Sequence, residues 1–188
     1  MNNGMMDPDS PPGWSYNPST WAERLPDIAI ALVGFGLATY LTLYQVDAIS
    51  TVYEPFFGDG SHYVLKQSIV PRYFPIPDAA LGAAAYLADA IADAIGGRRR
   101  WRTMPWMVLM LGALACGLAV IGTVLTVFQG VLAQHFCTLC LCSAFCSVLM
   151  LGAVLDEVLA TLQYLRRQWN AHGWHGTWRA LWGLELAS

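Results

Sequence analysis

No charged residue lies between Asp27 and Asp47, and the run that separates them, "IAIALVGFGLATYLTLYQV", is apolar apart from a few hydroxyls and one amide. A hydrocarbon core of about 30 Å takes roughly 20 residues of helix to cross, and an unpaired ion inside it costs several kcal/mol. The stretch from Pro26 to Ala48 therefore reads as a transmembrane helix. Three more stretches reach a similar length: Pro77 to Ile95, Pro105 to Gln129, and about Phe136 to Leu162. A chain that is 56% hydrophobic and 12% charged cannot hide that much apolar surface in a soluble domain of this size. The fold class expected is an all-α membrane protein, a four-transmembrane-helix bundle. It has an exported loop between helices 1 and 2 and an interfacial C-terminal segment.

The second stretch, "PDAALGAAAYLADAIADAIGG", carries Asp89 and Asp93 one turn apart and is followed at once by "RRRWR", Arg98 to Arg102. These charges predict an interfacial salt-bridge cluster whose arginines snorkel to the headgroups; a proton path is the alternative reading of the two acids. Basic residues in short loops mark the cytoplasmic side. Arg98, Arg99, Arg100 and Arg102, with Arg166 and Arg167 after the last helix, outweigh Lys66 and Arg72 in the first loop. Both chain ends are expected in the cytoplasm, and the first loop and the "GVLAQHFC" turn on the exported side.

Residues 1–25 are expected to form a cytoplasmic tail, partly disordered, since they lack the basic region and cleavage site of a signal peptide and contain several prolines. Within that tail, "STWAE" has the pattern of a short interfacial helix, with Ser19 or Thr20 capping and Glu23 reaching back. Residues 26–168 form the membrane domain. Residues 169–188 form a Trp-rich tail in which Trp174, Trp178 and Trp182 recur every four residues, the pattern of a segment lying in the headgroup layer or docking another protein. Gly173 and Gly176 weaken a helix there. Basic residues are too few for nucleic-acid recognition.

"FCTLCLCSAFCS", Phe136 to Ser147, holds four of the chain's five cysteines. On a helix Cys137 and Cys140 share one face, and Cys142 and Cys146 lie on roughly the opposite one. One four-thiolate metal centre is thereby disfavoured, because its ligands must converge. Cys137, Thr138, Leu139 and Cys140 make C-x-x-C at a helix start, where free N–H groups and the helix dipole favour a thiolate. That suits thiol–disulfide exchange, and an exported position permits oxidation. The alternative is a structural pair of small buried residues, which is also the reading for Cys116, Cys142 and Cys146.

"FCTLCLCSA", with "PIPDAALGAAAYL" (Pro75 to Leu87), "YEPFFGDGS" (Tyr53 to Ser61) and the four helix lengths, resembles the vitamin K epoxide reductase family of integral membrane thiol oxidoreductases. The resemblance covers about Pro26 to Leu162 and is closest to bacterial members, which implies a multi-pass protein of the bacterial inner membrane. It implies that Cys137 takes electrons from another dithiol, and that Cys140 passes them to a quinone, ubiquinone or menaquinone. Small residues such as Gly82, Ala83 and Ala144 would leave room for the quinone ring. Typical members also carry a cysteine pair in the first loop. Here "SHYVLKQS" puts Ser61 at such a position, and no cysteine lies between Ile49 and Ile76. A hydroxyl cannot exchange disulfides.

Three functions follow. Cys137 and Cys140 exchange directly with a separate thioredoxin-like or substrate protein on the exported side; or the bundle is a structural or assembly subunit alongside other membrane subunits; or the two thiols, with His62 or His135, hold a soft metal such as copper(I). His135, two residues before Cys137, is placed to stabilise a thiolate as an imidazolium. The aromatic and acidic loop residues Tyr53, Glu54, Phe56, Phe57, Asp59 and Tyr63 read as an interfacial cap or as a lid over the site.

Overall fold

The computed structural model describes residues 9–66 and 77–184, and among these every regular element is helical. The elements are α1 (Trp21–Gln45), α2 (Gly60–Lys66), α3 (Asp78–Ala94), α4 (Arg100–Thr103), α5 (Pro105–Phe128) and α6 (Thr138–Leu181), with a π-helical turn, Gln129–Ala133, extending α5. Three helical stretches are long and apolar enough to cross a membrane: Trp21–Gln45, Pro105–Ala133 and Thr138–Leu181. The chain is a multi-pass membrane protein. Helix α3, with 17 residues, is about 25 Å long at 1.5 Å per residue, just short of a full crossing; it lies against α1.

The distribution of side chains is that of a protein dissolved in lipid. Leu32, Val33, Val120, Ile121, Val124 and Leu149 are exposed on the outer faces, more apolar surface than a soluble monomer carries. Inside, small residues predominate: Ala31, Ala38, Ala83 and Ala90 pack with Tyr86 and Met150. Association in lipid relies on such close backbone approach. A Cβ on Gly34 would lie 2.5 Å from the Tyr86 ring, and one on Gly112 would lie 2.5 Å from Val158 Cγ2. Overpacking of this kind costs about 1–3 kcal/mol. Gly34→Val is therefore expected to lower the melting temperature in detergent and Gly36→Val, whose Cβ would meet nothing within 4 Å, to leave it in place; equal melting of the two would contradict the packing of α1 on α3.

At the end of the bundle away from the cysteines, the charges are buried, where snorkelling was expected. Arg100 is 1% exposed. Its Nε donates to Glu157 Oε1 at 2.6 Å and its Nη1 to the Asp93 carbonyl at 3.0 Å, while Nη2 donates to both the Asp93 and Glu157 carboxylates. Arg24 donates to the carbonyls of Gly96 and Ile95 at 3.0 and 2.8 Å. Two guanidiniums thus satisfy the free carbonyls at the C-terminus of α3 and oppose its dipole.

Residues 9–20 run as a strap across this end. Trp14 Nε1 donates to Gln163 Oε1 at 3.0 Å, Asn17 Nδ2 to the Arg98 carbonyl at 2.8 Å, Tyr16 to Asp156 and Ser19 to Glu157. The "STWAE" segment differs from its expectation: Trp21 opens α1 itself, continuous with the first span, and Thr20 makes no side-chain cap. Helix α6 likewise outruns its predicted end near Leu162. It continues to Leu181 through a break at Gly173 (φ 63°, ψ −156°). Trp169, Trp174, Trp178 and Trp182 then form a ladder with successive ring centroids 5.9–6.1 Å apart, and Trp182 lies 6.1 Å from Trp106.

Candidate active site

Cys137 is the N-cap of α6, in extended conformation, and is joined to Cys140 by a disulfide with Cα atoms 5.3 Å apart. One helical turn brings the two sulfurs together, as the spacing predicts. The Cys140 N–H points at Cys137 Sγ (3.2 Å), and the Cys137 N–H donates to Gln129 Oε1 at 3.1 Å. The helix N-terminus does not present all its N–H groups to the sulfur. The next one, on Thr138, donates to Glu54 Oε2 at 3.0 Å.

Glu54 belongs to segment 46–66, which ends in α2 and covers this mouth of the bundle. Its carboxylate also accepts from the hydroxyls of Thr138 and Ser61. Burial works to raise its pKa, but the hydrogen bonds from Ser61 and Thr138 outweigh burial and hold the carboxyl below the usual range. Glu54 is therefore an anion at neutral pH. The segment packs closely: Phe57 lies 5.6 Å from Phe136, Tyr63 stacks on His135 at 4.5 Å, and a Cβ on Gly60 would sit 2.2 Å from the Phe136 carbonyl oxygen. Beneath it, Cys137 is 0% exposed in a cluster with Leu41, Tyr44 and Leu65.

Beside the disulfide a groove of about 770 Å³ opens between α3 and α5 and reaches Leu41, Val64 and Leu65 of the cluster around Cys137. Cys140 lines it and Cys137 does not. Its walls are mostly apolar, with Asp78, Tyr86, Gln129, Ser143 and Ser147 as polar points; the Tyr86 hydroxyl donates to the Ser143 carbonyl at 2.6 Å. Of the small residues singled out for a ring, Gly82 and Ala144 line the groove. Ala83 lies elsewhere, in the core beside Ala31 and Ala38, because one step along a helix turns a side chain by 100°. Tyr86 and Gln129, both missed by a search for small residues, face the groove instead.

Residues 26–155, well over half the chain, match the model of the Vitamin K epoxide reductase family. The chain belongs to that family. Comparison with curated proteins and with solved structures returned no match. Membership brings the fold of membrane thiol oxidoreductases, and members of the family generally use quinones. The matched region starts within α1, spans the segment bearing Glu54 and ends in α6 beyond Cys140.

The other residues considered for chemistry in this Vitamin K epoxide reductase homologue lie apart from the disulfide. Cys116, Cys142 and Cys146 are free thiols. His62 Nδ1 is hydrogen-bonded to the Tyr44 hydroxyl, and His135 is occupied by its stack on Tyr63. Among the described residues, no group of three or more His, Cys, Asp or Glu side chains converges to hold a metal ion.

Proposed function

We propose that this chain is a four-span thiol oxidoreductase of a bacterial inner membrane, with both termini cytoplasmic, which moves electrons from an exported dithiol protein through Cys137 and Cys140 to a quinone. The observation that carries the reading is the position of the disulfide: Cys137 is enclosed beneath the Glu54 segment, and Cys140 borders an apolar groove. Asp78–Ala94 is the second span in this reading, tilted little and completed by its flanking residues. The basic residues of the α3–α5 connection and of the chain after α6 support the orientation.

A thiolate of the partner protein attacks Cys137 Sγ, the Cys137–Cys140 bond breaks, and Cys140 is released as a thiolate facing the groove. The partner's second thiol then displaces Cys137, so the partner leaves as a disulfide and two electrons remain on the cysteine pair. A groove of about 770 Å³ is within the range that buries a ring with part of a tail, and the side-chain NH2 of Gln129, whose Oε1 accepts from the Cys137 N–H, gives it a donor to orient a carbonyl oxygen. A quinone bound in the groove would supply the acceptor for these two electrons and two protons. Cys137 and Cys140 close again to the disulfide. No loop cysteine takes part, so the exchange is direct. The competing reading, an assembly subunit, draws on the missing loop thiols and on the exposed tryptophan ladder.

Redox state in native membranes tests the proposal. Maleimide mass-tagging is expected to find Cys137 and Cys140 reduced after quinone depletion, and oxidised when quinone is restored. Gly82→Leu, whose side chain fills the groove, is expected to raise the half-saturating quinone concentration about tenfold or more, the scale of a few lost contacts, with reduction by dithiothreitol unchanged. Thiols that stay reduced whatever the quinone content would sink the enzyme and favour the subunit.

A further inference from the structure

We infer that Glu54 is a latch: its carboxylate, hydrogen-bonded to Ser61 on one side and to both the N–H and the hydroxyl of Thr138 on the other, closes segment 46–66 over the disulfide and governs when an outside thiol reaches Cys137. The inference rests on the proposed reading of Cys137 and Cys140 as a thiol-exchange centre. It assigns a positioning role to a residue that does no exchange itself.

Attack on a disulfide needs a line of approach to the sulfur. Cys137 has none in the closed arrangement, being 0% exposed beneath Leu65 of α2. The covering segment must move before a partner thiol arrives. His62 and the Tyr53 N–H tie the segment to Tyr44 and Tyr40 of α1, but its hydrogen bonds to the end of α6 that carries Cys137 converge on one carboxylate, since the Thr138 partners lie on α6 and Ser61 lies on the segment itself. Hydrogen bonds to an ionised acceptor are roughly twice as strong as neutral ones, and Ser61, buried at 1%, orients the carboxylate from behind. The aromatic contacts of Phe57 with Phe136 and of Tyr63 with His135 are side-by-side packing that can re-form after opening. Gly60 lets the segment approach: with any larger residue the Phe136 carbonyl, one residue before Cys137, would be displaced. The latch thus sits against the turn that carries the attacked sulfur. A second consequence is electrostatic, for the carboxylate occupies the end of α6 where a Cys137 thiolate must form on reduction.

The test is the rate at which dithiothreitol reduces the Cys137–Cys140 disulfide in the purified, oxidised full chain in lipid nanodiscs, followed by maleimide mass-tagging. In that reaction a reagent thiolate attacks Cys137 Sγ, Cys140 leaves, and the reagent's second thiol closes its own ring, so two electrons pass to the protein. Glu54→Ala is expected to react about tenfold or more faster than wild type, the scale of losing a charged hydrogen bond that holds the closed state. Glu54→Gln should fall between, because its amide oxygen keeps one acceptor. Ser61→Ala should add nothing in the Glu54→Ala background, as expected for groups acting through one contact. If Glu54→Ala does not fold, Gly60→Ala keeps the carboxylate and lifts the segment, and should show the same acceleration. Rates within twofold of wild type for the folded variants, or no ordering of Gln between Glu and Ala, would overturn the latch. Because dithiothreitol needs no quinone, accelerated reduction without quinone-linked oxidation would leave the latch and remove the proposed function; the reverse pair of results would do the opposite.

Discussion

Replacing Cys140 with serine is expected to abolish quinone-linked oxidation of a dithiol protein, a loss on the order of a thousandfold or more, since a hydroxyl neither exchanges with a disulfide nor carries the electron pair onward. The groove stays intact, because the serine is nearly isosteric and Cys140 makes only part of its wall. Cys137 is then a free thiol with the Cys140 N–H still directed at its sulfur. It attacks the disulfide of an oxidised partner and releases one partner thiolate; alkylating that thiolate removes the one group that would displace Cys137 again, and the two proteins stay linked. A covalent complex on a non-reducing gel, lost in the Cys137→Ser, Cys140→Ser double variant, is the expected signature. Replacing Cys142 or Cys146 should do neither, since both are free and apart from the disulfide; activity lost equally on changing Cys142 would contradict the assignment.

The second large effect lies at the opposite end of the bundle. Arg100→Ala removes the partner of two buried carboxylates, Asp93 and Glu157, and uncaps the last carbonyls of α3. Burial alone works against the charged guanidinium, but the hydrogen bond and charge of Glu157, then of Asp93, more than offset it and hold its pKa above the ordinary value. Deleting one side of such a buried pair costs about 3–5 kcal/mol, because Glu157 is left with only the Ser19 hydroxyl and Asp93 with only the more distant Arg24, at 3.9 Å. The variant should melt well below wild type in detergent. The double change Arg100→Met, Glu157→Gln should recover much of the loss, because it removes charge from both sides. No change on Arg100→Ala would mean that the cluster does not tie α3 to α6.

Three of the four expected spans, the first, third and fourth, were legible because lipid demands long charge-free helices, and runs such as Ile28 to Val46 have few other uses. The cysteine pair was legible because C-x-x-C at a helix start fixes its own geometry. Less could be read where partners come from far along the chain. Glu54 stood in the sequence as one acid in an aromatic loop, and nothing local signals that its acceptor atoms serve Thr138, 84 residues on. The strap has the same character: prolines at residues 8, 11 and 12 suggested a loose tail, while Trp14 and Tyr16 find their partners on α6, at Gln163 and Asp156. Arginines before α5 read as headgroup anchors, yet Arg100 turns inward because α3 ends beneath it with free carbonyls. Composition gives the sign of that charge but not the direction in which it points.

The most direct measurement is a single turnover on purified protein whose Cys137–Cys140 pair has been reduced and freed of reductant. A soluble short-chain quinone is added, and quinol is followed by absorbance while the thiols are counted by maleimide tagging. The account predicts one disulfide, between Cys137 and Cys140, for each quinol formed, and no quinol from the Cys137→Ala, Cys140→Ala double variant. Quinol formed at the same rate by that variant, or thiols that persist through the reaction, would contradict it.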